Sequence, residues 1–199
     1  MSSHNPETRQ RILKAALELM EASQGSGVRM VDIARRAGIT RQALYLHFAT
    51  RAELLIATTF YFDELKGSDE RLVPSRAAQT GSERLDAFIE AWGTYIPEIY
   101  GIAKAFLAMK DTDEAAAKAW DQRMHDMHEG CQAAIDALDR DNMLSPGHSP
   151  QQATDILWTM LSVRNWEQLT IECGWPQKKY IETLKSLARH IFVAESKSN

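Results

Sequence analysis

The chain has 199 residues, 44% hydrophobic and 25% charged, with a net charge of −4 at neutral pH. That length buries a sizeable core without cross-links, and its two cysteines, Cys131 and Cys173, lie far apart without the spacing of a disulfide framework or zinc module, so both are expected as small buried hydrophobes. The start, Met-Ser-Ser-His-Asn-Pro-Glu, lacks the apolar core of a signal peptide, and no stretch approaches the roughly 18 uninterrupted apolar residues of a membrane span, so a soluble cytoplasmic protein is expected.

Charge is unevenly distributed. Residues 1–52 hold eight Lys or Arg against four Asp or Glu, a net of +4, whereas the remainder hold fifteen against twenty-three, a net of −8. Distant acidic groups are screened within about 8 to 10 Å, so an acidic body does not prevent a basic head from binding phosphates.

In chain order, Asn5 is placed to cap a first helix with Pro6 in its first turn, running to about Ser23 with Ile12, Leu13, Ala16, Leu17 and Met20 on one side. Gln24 to Gly27 breaks it. Met30 to Ala37 makes two helical turns with Ile33, Ala34 and Ala37 inward and Arg35 and Arg36 outward. Gly38 can adopt the left-handed conformation that ends a helix, and Thr40 can cap the next, so two helices meet across a very short turn. Leu44 and Phe48 complete an apolar side, while Arg41, Gln42, Tyr45 and His47 carry hydrogen-bonding groups that so small a unit does not need for its core. Such groups suit phosphates and base edges, the chemistry of the recognition half of a helix-turn-helix.

Thr50-Arg-Ala-Glu53 reads as a reciprocal cap for a fourth helix. Residues 67–82 lose helical periodicity and predict a loop. Apolar residues from Leu85 to Phe106 then mark a long helix in which Pro97 predicts a kink or break. Another helix is expected from Asp111–Glu114 to about Arg140, with Trp120, Met124, Met127, Cys131, Ile135 and Leu138 inward. Ser149-Pro-Gln-Gln152 starts a helix expected to reach Cys173, apolar on nearly every side. Gly174 and Pro176 separate it from a last helix with a broad stripe containing Tyr180, Ile181, Leu184, Leu187, Ala188, Ile191 and Phe192, and the tail from Glu195 is expected to be loose. One chain rarely covers both such faces at its own end, so the helices at about 151–173 and 177–193 predict a twofold contact with a second copy. The fold class is all-α, with about nine helices.

Phe88, Trp92, Tyr95, Trp120, Met124 and Trp158 suit a plain core as well as a ligand pocket. Asp121, His125 and His128 share a helical face, and a solvated polar flank is the first reading, with a metal site the weaker alternative. No nucleophile, base and orienting residue form a recognisable set, and no glycine-rich phosphate loop occurs, so an enzyme is not expected and no cofactor is implied.

The run Val31 to Phe48, with Leu44-Tyr-x-His-Phe48 followed by Thr50-Arg-Ala-Glu-Leu-Leu55, resembles the TetR family of bacterial transcriptional repressors. The resemblance implies a three-helix DNA-binding head at 1–52 joined to a larger helical ligand-binding and dimerisation body at 53–199. It also implies that Tyr45 and His47 contact phosphates, that Thr40, Arg41 and Gln42 meet the major groove, and that Arg51 clamps the DNA backbone. In the body it implies a pocket for a mostly apolar or aromatic effector, lined from among Phe88, Trp92, Tyr95, Trp120, Met124 and Trp158. Two positions depart from the family's habit: Gln42 stands where glycine is frequent, and Arg51 where lysine is frequent. Gln42 can add a contact with adenine. The function expected is a ligand-released repressor binding a palindromic operator as a homodimer. The alternatives are an activator of the same fold, a helical enzyme or an interaction protein.

Overall fold

The computed structural model describes residues 5–22 and 28–194. Among these residues the fold is all-α, apart from one isolated antiparallel bridge between Leu144 and Val193. Two compact units are distinguished: Met1–Gly67 with Ile99–Met124, and Ser68–Glu98 with His125–Asn199.

The first unit begins with α1 (Pro6–Ala22), where the Asn5 side chain accepts from the Glu7 amide at 3.0 Å. It continues with α2 (Met30–Arg36), α3 (Arg41–His47) and α4 (Arg51–Leu65). The predicted apolar sides meet as expected: Ile12, Ala16, Met20, Ile33, Ala34, Leu44, Phe48, Leu54 and Leu55 are all buried. The predicted break at Gln24–Gly27 lies outside the described residues, as does the tail from Glu195. Thr50 caps α4 by accepting from the Glu53 amide at 3.1 Å, but the Glu53 carboxylate reaches back to the amide of Ala49, at 2.9 Å, instead of that of Thr50. Arg123 joins this unit by pairing with Asp63 while lying 5.8 Å above the Phe60 ring.

The second unit opens where a loop is predicted, yet α5 (Ser68–Arg71) and α6 (Val73–Ala77) form there. Pro74 occupies the first turn of α6, where a missing N–H is harmless, and buried Ser75 donates its hydroxyl to the Arg84 carbonyl at 3.1 Å. Tertiary contact thus orders turns that local propensity does not. Next come α7 (Gly81–Met109) and α8 (Glu114–Arg140), which contribute residues to both units. Gly81 is needed where it stands, since an added Cβ would lie 2.6 Å from the Leu138 backbone.

Of the kink or break predicted at Pro97, the break does not occur, because α7 runs through it. Proline there removes the N–H that would bond the Gly93 carbonyl four residues earlier. The side chain of Gln177, at the start of α11 (Gln177–Phe192), donates to that same Gly93 carbonyl through Nε2. Trp166 in turn donates its indole N–H to Gln177 Oε1 at 2.8 Å. Between α8 and α11 lie α9 (Pro150–Met160), α10 (Val163–Trp166) and a π-helical stretch, Glu167–Glu172. Ion pairs of Lys185 with Glu90 and of Arg189 with Asp86 continue the seam between α7 and α11.

The single helix predicted from Ser149 to Cys173 is also corrected. Its start is as expected, with Ser149 and Gln152 capping each other at 3.3 and 3.0 Å. It then stops at Met160, where side chains claim the backbone: Ser162 accepts from the Asn165 amide at 3.2 Å, Asn165 donates to the Thr159 carbonyl at 2.6 Å, and Trp92 donates to the Leu161 carbonyl at 2.7 Å. The break resets the helical phase, so apolarity that reads as all-round along one helix belongs to differently oriented segments. At its end Cys173 is exposed, against the expectation that both cysteines are buried, which holds only for Cys131; Gly174, with φ of 68°, follows it immediately.

Replacing Gln177 with Ala removes its hydrogen bonds to the Gly93 carbonyl and from the Trp166 indole and should cost on the order of 1–3 kcal/mol. In a Pro97→Ala background the restored amide can serve Gly93, so the same replacement should cost less. Urea denaturation of the four proteins measures this, and an equal cost in both backgrounds would refute the role assigned to Gln177.

Candidate nucleic-acid interface

The turn before α3 is built by Gly38, whose φ is 68°. This conformation lets the Ile39 amide reach back to the Ala34 carbonyl at 3.0 Å and the Gly38 amide to that of Arg35 at 3.2 Å, closing the end of α2. Two residues later Thr40 accepts from the Ala43 amide at 3.1 Å and starts α3, keeping its hydroxyl hydrogen available. Leu44 and Phe48 are fully buried and hold α3 on the rest of the unit. The guanidinium of Arg9 in α1 lies over the Phe48 ring, 4.9 Å from its centre.

With that side fixed, Thr40, Arg41, Gln42, Tyr45 and Leu46 face solvent, and His47 is half-buried at the helix end. The guanidinium of Arg41 lies 5.5 Å from the centre of the Tyr45 ring, one turn along, so the two form a shared cationic and aromatic surface. On the neighbouring helix Arg36 pairs with Glu18 at 2.6 Å, while Asp32 takes Arg29 at 2.7 Å and Arg35 at 2.8 Å. The hydrogen bond from Arg29 holds the Asp32 carboxyl below the usual carboxylate range.

Arg51 occupies a different environment. Its Nε donates to the Val28 carbonyl at 2.7 Å and its guanidinium pairs with Asp113, both side chains being 22% exposed. Asp113 also caps α8, accepting from the amides of Ala115 at 3.1 Å and Ala116 at 3.3 Å. Burial pushes the Asp113 carboxyl up, but the hydrogen bonds from Arg51 and the two amides outweigh it and leave the group below its ordinary value.

The six residues named for an effector divide between the units. Phe88, Trp92, Tyr95 and Trp158 belong to the second, and Trp120 and Met124 to the first. Phe88 and Tyr95 are buried, whereas Trp92, Trp120, Met124 and Trp158 are half-buried. Trp92 and Tyr95 meet edge to face at 6.3 Å, and Trp158 meets His128 at 5.5 Å. Asp121 and His125 are exposed, His125 facing Glu129 at 3.4 Å and His128 facing Asp155 at 3.0 Å. Among the described residues no group of three or more His, Cys, Asp or Glu is placed to hold a metal ion. No helix among them is long and apolar enough to cross a membrane.

Two residues were not singled out by sequence reasoning. Leu46 could have been found from helical spacing, since it points away from Leu44. The pairing of Asp113 with Arg51 spans 62 positions and leaves no local signal.

A capped turn joining two short helices, with one side of the second buried and the other polar, defines a helix-turn-helix protein. Residues 12–58 match the model for bacterial regulatory proteins of the tetR family. The chain is 51% identical over 51 residues to the HTH-type transcriptional regulator SrpR of Pseudomonas putida, a match spanning 26% of this chain and 24% of that protein. The chain thus spans about a quarter of the length of that relative. It is 24% identical over 174 residues to the HTH-type transcriptional regulator CymR of Pseudomonas putida, covering 87% of this chain and 82% of CymR. Its fold resembles that of NalD, the secondary repressor of the MexAB-OprM multidrug efflux pump in Pseudomonas aeruginosa, with a TM-score of 0.68 and 22% identity over 95% of this chain and 97% of the other. Residues 12–58 therefore form a DNA-binding domain of the TetR type, and the chain is similar to TetR-family transcriptional regulators.

Asp113→Ala removes a cap and an ion pair together and should cost about 1–2 kcal/mol, lowering the melting temperature by roughly 2–8 °C at neutral pH. Because the folded-state value of Asp113 lies below its ordinary 3.8, the linked stability is present above pH 3.8 and fades as pH falls through the lowered value. The gap between wild type and variant should therefore narrow in acid, which thermal melts across pH would detect.

Proposed function

We propose that this protein is a DNA-binding repressor that acts in the cytoplasm as a homodimer on a palindromic operator. The observation that carries this reading is the outward face of α3, which presents Arg41, Gln42 and Tyr45 around an anchored helix. In this reading residues 1–52 form the reading head and 53–199 the regulatory body. Thr40, Arg41 and Gln42 meet the major groove, Tyr45 and His47 bond phosphates, and Arg51 acts at the DNA backbone, either by leaving Asp113 or by fixing the start of α4 beside Val28.

Two copies place their α3 helices in successive major grooves, about 34 Å apart. The carboxyl-terminal helices form the proposed twofold contact, supported by the exposure of Ile171 and Leu187, 58% and 45%. The repressing role is supported by the fold shared with NalD, a repressor. An apolar or aromatic effector bound among the body's aromatic side chains then shifts α4 and spoils the spacing, a coupling of roughly 1 to 3 kcal/mol.

The test begins with a duplex selected from random DNA by the wild-type protein. Tyr45→Ala and His47→Ala should each weaken binding to it at least about fivefold, as expected for losing a phosphate hydrogen bond of roughly 1 kcal/mol, with the dimer and its melting temperature retained. Gel-shift affinities equal to the wild type for both variants would sink the reading.

A further inference from the structure

We infer that Leu46 and Gln42 together read an A·T step of the operator, Leu46 by contact with a thymine methyl and Gln42 by a paired hydrogen bond to adenine. This inference rests on the DNA-binding proposal and adds to it a specificity residue and the base class it selects. The helix geometry supplies the first reason. At about 100° per residue, Gln42 and Leu46 lie roughly 160° and 200° around α3 from Leu44, so they straddle the direction opposite the buried side. Leu44 is fully buried, which fixes these two as the outermost positions of the helix.

Chemistry supplies the second reason. Leu46 is 61% exposed, the highest value among the exposed large hydrophobic side chains of the described residues. It lies outside the buried core of the unit. Beside it, Arg41 and Tyr45 are already engaged with each other, whereas no described residue pairs with the Gln42 amide. Side chains one turn apart have Cβ atoms about 5–6 Å apart, a span that reaches neighbouring base pairs in the groove. In the major groove the thymine methyl is the apolar group that a leucine can cover, and the N6 and N7 edge of adenine matches the donor and acceptor of glutamine. An apolar and an amide side chain on one row therefore select the two halves of A·T pairs.

The experiment uses the full-length protein and the duplex that it selects from random DNA. Each thymine is replaced in turn by deoxyuridine, which deletes the methyl and preserves the pairing. At one thymine in each half-site the replacement should weaken wild-type binding by about three- to fivefold, the worth of one buried methyl. Leu46→Ala should abolish that sensitivity while the response to changes elsewhere in the site persists. Gln42→Ala should lose selection for adenine at the same or the adjoining pair by roughly five- to tenfold or more. If wild-type binding is selective yet indifferent to every thymine methyl, or if Leu46→Ala keeps the sensitivity, the inference falls and the DNA-binding proposal stands. If the wild type selects no sequence, both fall.

Discussion

A helix of seven residues does not hold its shape in water, because too few hydrogen bonds follow the costly first turn. That α3 forms at all depends on what surrounds it: the left-handed turn at Gly38, the Thr40 cap and the burial of Leu44 and Phe48. The same three features decide which side chains are left to face outward. Stability and presentation are therefore one problem in this unit, and the packing of two apolar residues sets the orientation of every polar one on the helix.

In the second unit the corresponding constraint is a carbonyl. Pro97 deprives Gly93 of its usual donor, and the donor comes instead from Gln177, which is itself oriented by Trp166. Gly93 also has no side chain to hold α11 away, since a Cβ there would lie 2.5 Å from Ile181. A helix interruption that local rules demand is thereby exchanged for a tertiary hydrogen bond. The long helix survives, and the three segments that meet at this point are fixed to one another.

These two places mark how far the sequence could be read. Caps at Asn5, Thr40, Thr50 and Ser149 were legible because the groups that satisfy each helix end lie within a few residues of it. The polar face of α3 was legible for the same reason, periodicity over a single helix. What depends on distant residues was not: the continuation through Pro97, the ordering of α5 and α6, and the end of α9 at Met160. Ser162 and Asn165 did carry a local stop signal, but the apolar run around them concealed it. Arg51, which the family resemblance casts as a clamp on the DNA backbone, pairs with Asp113 from far along the chain, and no local pattern announces that partner.

That last pairing changes what the formal charge of the head means. The net +4 of residues 1–52 already counts Glu18 and Asp32, which pair with Arg36 and with Arg29 and Arg35, and the part-buried pairing of Arg51 with Asp113 withdraws one further positive charge from it. A cation neutralised by its own fold attracts few counterions and has few to release. The positive field of the head is consequently weaker than a count of basic residues suggests, and on α3 itself the guanidinium of Arg41 brings it beside the Tyr45 ring.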